Sequence, residues 1–287
     1  MWVDGRLLPA EAMHLSAFDR GFQLGDGVFE TLRARSGHLT ELDLHLARLR
    51  RSADGLGIAL PAGAEARISA GIREILVAED LDDAAVRITA SRGAFRGRGL
   101  LPPDEHVEPT IVIQAWPVIP APAGHLEHGL HLVPSTVRRD PTSPLVALKT
   151  TSRADYVFAR LEARRRGADD ALFLTIEGHL SEGTSANIFL VRRGRELATP
   201  SLDCAVLAGT TRDWLLGWAA RVGLTPIEAR LSAGDLAGAG EAFLSSSVAG
   251  ILPVTRWDGD PIGDGRPGPW TRRAREEREA FIRDGTP

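Results

Sequence analysis

Cysteine and lysine are almost missing from this 287-residue chain, which holds one of each, Cys204 and Lys149. A single cysteine cannot close an internal disulfide, and it excludes every multi-cysteine metal site. No run reaches the roughly 18 apolar residues that a membrane helix needs. The N-terminus, Met1-Trp2-Val3-Asp4-Gly5-Arg6, opens with an acid and lacks the apolar core of a signal peptide. The cytoplasm is therefore the expected location. A formal net charge of −4 gives no reason to expect nucleic acid as a partner. Walker A, Gly-x-Ser-x-Gly and His-Glu-x-x-His sequences are also absent. Gly25-Asp26-Gly27 and Gly97-Arg98-Gly99 lack the third glycine and the strand-to-helix setting of a dinucleotide fingerprint. His125, Glu127, His128 and His131 resemble a loose metal cluster, but Gly124 and Gly129 argue against the helix that would align them. A solvated turn leading into a strand, with no metal, is the expectation there.

The composition is that of an ordinary globular protein, 43% hydrophobic and 25% charged. At roughly 150 residues per domain, the length suggests two domains. Val28 to Leu32 alternates as a strand does. A helix is expected from about Asp43, its N-cap, to Gly55 or Gly57. A second is expected from Ala64 to Ala78, with Ile68, Ile72, Ile75 and Leu76 on one face. Strands follow at 85–91 and 110–116. Three prolines in six residues, Pro117 to Pro122, stiffen the chain and cannot serve a central strand. This places a small α/β domain at 1–117, a linker at 118–124 and a larger α/β domain, holding Lys149, at 125–287. In the second half, helices are expected at 152–166 and from just after Gly209 to about Val222. Strands are expected at 170–175, 187–191 and 196–199.

Arginine numbers 33 against the one lysine. A GC-rich genome explains an arginine-rich surface, but not why one lysine remains. Arginine replaces lysine wherever a point charge suffices. It cannot replace an amine that must lose its proton and attack a carbonyl. Lys149 is thus a candidate Schiff-base lysine. Three other segments bear on it. Ala208-Gly209-Thr210-Thr211-Arg212 opens a helix whose free N–H groups suit a phosphate, or is a plain N-cap. Ser245-Ser246-Ser247 is a run of hydroxyl donors, or a turn. Glu182 is a carboxylate able to hold a pyridinium proton, or an exposed turn acid. Lysine, phosphate site and carboxylate together are what pyridoxal phosphate requires.

Several ordered segments resemble the class IV aminotransferases, the fold-type IV pyridoxal phosphate enzymes. Asp19 to Thr31 looks like the opening signature of that family. Leu44 to Ala53 looks like its phosphate-arginine helix, and Leu148-Lys149-Thr150-Thr151-Ser152 like its lysine segment. Gly167 to Leu174 with Glu182 to Phe189 resembles the glutamate segment. Leu207 to Arg212 and Ser245 to Val254 complete the set.

The resemblance implies a mixed α/β fold of two domains with the cofactor between them, and a homodimer. It makes Lys149 the cofactor lysine and proton shuttle, Glu182 the partner of the pyridine nitrogen and Arg48 the phosphate arginine. Gly209, Thr210, Thr211, Ser246 and Ser247 form the phosphate cup, and Leu207 packs on the ring. Toward substrate it points to Phe29, Arg153 and Val248, with Arg96 and Arg98 as a carboxylate clamp or as two exposed surface arginines; the glycines from Arg92 to Pro103 predict a mobile loop there. The first expectation is an aminotransferase moving an amino group from a D-amino acid or (R)-amine to a 2-oxo acid. The alternatives are an aminodeoxychorismate lyase and a catalytically silent cofactor- or metabolite-binding homologue.

Overall fold

The computed structural model describes residues 1–11, 15–102, 106–192 and 195–285. The chain divides into two compact units. One is Met1–Val118 with Leu148–Arg153, and the other is Ile119–Ala147 with Ala154–Pro287. The lysine segment therefore departs from the expected division: it clusters with the N-terminal unit, not with 125–287. The reason is backbone pairing, since Thr150 bridges Val28 in antiparallel fashion.

The first unit is built on a six-stranded sheet. Its strands are β1 (Trp2–Val3), β2 (Arg6–Leu7), β3 (Gly27–Arg35), β4 (His38–Leu39), β5 (Asp83–Ser91) and β6 (Thr110–Pro117), in the order β2-β1-β6-β5-β3-β4. Its helices are α1 (Arg20–Leu24), α2 (Leu42–Gly55) and α3 (Ala64–Ala78). The apolar spacing of α3 delivers Ile68, Ile72 and Ile75 into a core shared with Val86 and Ile88 of β5 and with Trp2. Each such side chain, fully buried, contributes roughly 1.5–3 kcal/mol. Gly71 lets that helix close on Trp2, because a Cβ there would lie 2.6 Å from the indole. Asp43 is not the N-cap of α2. The helix begins one residue earlier, after Glu41 in a left-handed conformation, and Asp43 lies in its first turn.

The second unit opens with a one-turn helix, α4 (Ala123–Glu127), where a turn had been expected. Gly124 is accommodated inside it, and the chain reverses only at Gly129, at φ +77°. His125 pairs with Asp169 at 3.2 Å, and His131 accepts from the Gly259 amide. Then come β7 (Leu130–Arg139), α5 (Ala154–Arg165), β8 (Asp170–Thr175), β9 (Leu180–Gly183), β10 (Asn187–Arg192) and β11 (Glu196–Pro200). α6 (Thr210–Arg221), β12 (Thr225–Ala229), α7 (Ala233–Ala237), β13 (Glu241–Ser246), β14 (Gly250–Trp257), β15 (Asp260–Pro261) and α8 (Pro269–Asp284) follow. Helix α5 starts two residues later than expected, leaving Ser152 and Arg153 outside it.

Strands β10, β13, β14, β7, β8 and β9 pair in sequence, and β9 pairs back to β10, closing a ring of six. The closing pair is Glu182 opposite Asn187. Along β10 the side chains alternate. Ile188 and Leu190 join Leu132 and Leu244 in one apolar cluster, while Phe189 and Val191 join Trp218 of α6 and Ala274 of α8 in another. No helix among the described residues is long and apolar enough to cross a membrane.

Candidate active site

In the first unit, Lys149 is held by its backbone from two sides. Its carbonyl accepts from Phe29 N of β3 at 2.9 Å, and its N–H donates to Ser52 Oγ of α2 at 3.1 Å. Thr151 N donates to Gly27 O at 2.9 Å, so the segment runs beside β3 like an added strand. The Lys149 amine lies 4.6 Å from the centroid of the Phe29 ring. Two more cations share that ring, with the guanidinium carbons of Arg87 at 3.9 Å and Arg153 at 5.7 Å. Burial, and then the Arg153 charge, lower the pKa of Arg87 from its ordinary value. Phe29 itself is 7% exposed. The structure thus brings Phe29, Lys149 and Arg153 together and adds Arg87, which the sequence reading missed. The spacing that would have found it is the β3–β5 register, which sets Thr89 opposite Phe29 and Arg87 two residues along the same strand.

Arg48 lies on α2, buried, with its Nε and one terminal nitrogen on the two oxygens of Glu30 at 2.7 and 2.8 Å. His45 Nδ1 donates to the same carboxylate at 2.7 Å. Burial opposes the charge on Glu30, but the hydrogen bonds from Arg48 and His45 outweigh it. They hold its pKa at about 2, against an ordinary 4.5. The bidentate contact fixes the plane of the Arg48 fork. Glu30 and His45 were not anticipated. Their signals were an acid on an apolar strand and a His–Arg pair three residues apart on one helix face.

Arg96 and Arg98 are exposed, and Arg96 sits 5.6 Å from the Phe18 ring. The chain around them is tethered. Arg20 donates to the carbonyls of Gly99 and Leu100, and Arg92 binds Asp26 and the carbonyls of Leu56 and Gly57. The expected end of that loop, Pro103, lies outside the described residues.

In the second unit, Glu182 is no turn acid. It lies on β9, 6% exposed, at the pair that closes the ring of strands. Its Oε2 accepts from Leu207 N at 3.0 Å and its Oε1 from the Tyr156 hydroxyl at 3.3 Å. Asn187 donates from Nδ2 to Leu207 O at 3.0 Å, which pins the Leu207 segment beside the glutamate. Gly209 follows, and a Cβ there would lie 2.1 Å from Asn187 Oδ1, so any larger residue must displace that side chain or the turn. Among the described residues, no side chain caps the start of helix α6. Thr210 and Ser247 hydroxyls meet at 3.2 Å across this N-terminus. Thr211 is buried and accepts from Arg278 of α8 at 3.2 Å. Ser246, the last residue of β13, and Val248, on the turn that carries Ser247, are half-buried, while Ser245 Oγ is buried without a hydrogen-bond partner among the described residues.

The donor chemistry fits pyridoxal phosphate. An uncapped helix N-terminus with two converging hydroxyls suits a phosphate dianion. A buried carboxylate gripped by an amide and a phenol suits a protonated pyridine nitrogen.

The sequence profile of the family described as Amino-transferase class IV matches residues 27–257. A putative branched-chain-amino-acid aminotransferase of Methanocaldococcus jannaschii is 34% identical over 278 residues, 96% of this chain and 94% of that one. A D-alanine aminotransferase of Bacillus licheniformis is 29% identical over 94% of this chain and 92% of its own length. The crystal structure of the Escherichia coli branched-chain amino acid aminotransferase superposes with a TM-score of 0.92. It is 28% identical and covers 100% of this chain and 95% of that one. The chain belongs to the class IV aminotransferases and has their fold-type IV architecture. Enzymes of this class are pyridoxal phosphate-dependent aminotransferases.

Proposed function

We propose that this enzyme moves an amino group from an α-amino acid to a 2-oxo acid in two successive half-reactions, with D-amino acids as donors. The observation that carries the reading is the set of cations on Phe29. Lys149 places an amine there, and Arg87 and Arg153 place two guanidinium groups within 6 Å of the same ring centroid. Among the described residues no carboxylate pairs with Arg87. A substrate carboxylate would relieve the repulsion between the two arginines, leaving the substrate's reacting carbon near the lysine. D-alanine aminotransferases among the relatives support D-amino acids as donors.

Pyridoxal phosphate supplies an aldehyde that amines attack and a ring that draws electrons from the substrate carbon. Lys149 Nζ would be the amine that holds the cofactor and the base that takes the proton from the substrate Cα. Glu182 would hold a proton at the pyridine nitrogen. The first-turn amides of α6 with Thr210, Thr211 and Ser247 would bind the phosphate, Arg48 would be the phosphate arginine that the family resemblance implies, and Leu207 would pack against the ring.

The archaeal relative favours a second reading, with branched-chain L-amino acids as donors. A donor panel decides between them. D-alanine, L-valine, L-leucine and an (R)-arylalkylamine are each offered with 2-oxoglutarate or pyruvate, and aminodeoxychorismate is scored separately for pyruvate release. Amino transfer from D-alanine is expected to be the fastest. Transfer confined to the L-donors would replace the first reading with the second. Pyruvate release without amino transfer would make the protein a lyase, and no turnover at all a silent homologue.

A further inference from the structure

The chain has one tyrosine, Tyr156, near the start of α5. Its ring is held edge-on to the buried Phe173, with centroids 5.1 Å apart and planes at 75°, and the Arg139 guanidinium lies 4.8 Å from its centroid. Its hydroxyl stands between two charged groups. Arg139 donates to it at 2.7 Å, and it stands 3.3 Å from Glu182 Oε1. The direction of these bonds is forced. A guanidinium has no acceptor and an ionised carboxylate has no proton, so the phenol accepts from Arg139 and donates to Glu182. Arg139 itself is 3.9 Å from the same carboxylate oxygen, outside hydrogen-bond range, and is anchored on its other side by Asp155 at 2.9 Å.

We propose that Tyr156 is a positioning residue for the cofactor's ring nitrogen: its hydroxyl orients the Glu182 carboxylate and holds the Arg139–Glu182 ion pair at 3.9 Å, short of a direct hydrogen bond. This rests on the reading of Glu182 as the pyridine-nitrogen partner. A carboxylate bridged directly by a guanidinium spends its negative charge on that cation. A carboxylate held by a neutral phenol and the Leu207 amide keeps the charge for a pyridinium. The 3.9 Å spacing is short enough for Arg139 to close on Glu182 once the hydroxyl is gone. Removing one oxygen atom from Tyr156 is therefore expected to weaken the proton on the ring nitrogen without touching the cofactor's other contacts.

The test uses holoenzyme reconstituted with pyridoxal phosphate labelled with ¹⁵N in the ring. The wild type is expected to give the nitrogen signal of a protonated ring, and Glu182→Gln that of an unprotonated one. Tyr156→Phe is expected to move the signal toward the Glu182→Gln position. It should also lower kcat about tenfold while leaving KM within about twofold, as the loss of one hydrogen bond that acts through a charge. If Glu182→Gln moves the signal and Tyr156→Phe leaves it at the wild-type value, the proposal is overturned and the Glu182 reading stands. If neither moves it, the Glu182 reading falls and the proposal with it. Should the phenylalanine variant fail to fold, growth on 3-fluorotyrosine labels this one residue. Its ¹⁹F signal is then expected to shift between holoenzyme and apoenzyme, and an identical signal in both would also overturn the proposal.

Discussion

At the scale of single residues, the arginine excess hid as much as it revealed. With one lysine among 34 basic side chains, Lys149 could be picked out with no structure at all. The same excess concealed Arg87, one of 33 arginines, whose importance is visible only in its 3.9 Å approach to Phe29. Arg87→Ala is expected to raise KM for amino acids and 2-oxo acids at least tenfold, the usual scale for a charge-assisted contact. It should spare an (R)-arylalkylamine, which has no carboxylate, in steady-state assays run side by side. An equal loss for both substrate classes would mean that Arg87 supports the fold around Lys149 and not the substrate. Glu30 supplies a prediction in pH. Its pKa falls from 4.5 to about 2 on folding, so its contribution to stability is complete above 4.5 and is lost as pH drops toward 2. Thermal unfolding followed across that window should show the wild type losing stability. Glu30→Gln should be less stable than the wild type above pH 4.5, flatter with pH, and should converge on it as pH approaches 2.

At the scale of elements, regular apolar spacing was legible and irregular ends were not. Helix α3 could be read to its boundaries because Ile68, Ile72, Ile75 and Leu76 repeat at helical intervals. The start of α2 could not, because the chain enters it through Glu41 at φ 54°, a conformation that side-chain identity does not signal. Strands β1, β2, β4 and β15 are two residues long, too short for any alternation to register. The glycine before α6 was noticed as part of a phosphate-like opening, yet its true constraint, the Asn187 side chain 2.1 Å from where a Cβ would sit, comes from a strand 22 residues earlier. Gly209→Ala is therefore expected to displace Asn187 or the first turn of α6. Cofactor affinity should fall by about tenfold or more, measured by titrating apoenzyme with pyridoxal phosphate and following absorbance. Unchanged affinity would place the phosphate elsewhere.

At the scale of the whole molecule, family and fold were legible because many short segments occur in one order along the chain. No single one of them would have sufficed. The division into units was legible only in part, since a stiff proline segment shows where the chain leaves the first unit but not that Leu148–Arg153 returns to it. Tyr156 and Arg139 were not legible, because their meaning depends on a closed ring of strands that brings β7, α5 and β9 together. For the assembly we expect a homodimer, seen by light scattering as a mass near twice 30.9 kDa, with a mass of one chain as the contrary result. Lys149 is expected to carry the cofactor. The chain has two aliphatic amines, this one and its N-terminus, so borohydride reduction of the holoenzyme followed by peptide mass analysis gives a clear answer. The pyridoxyl group should be found on the peptide containing Lys149, and Lys149→Ala should be inactive yet folded. A label on the N-terminus, no label at all, or full turnover in Lys149→Ala would contradict the account.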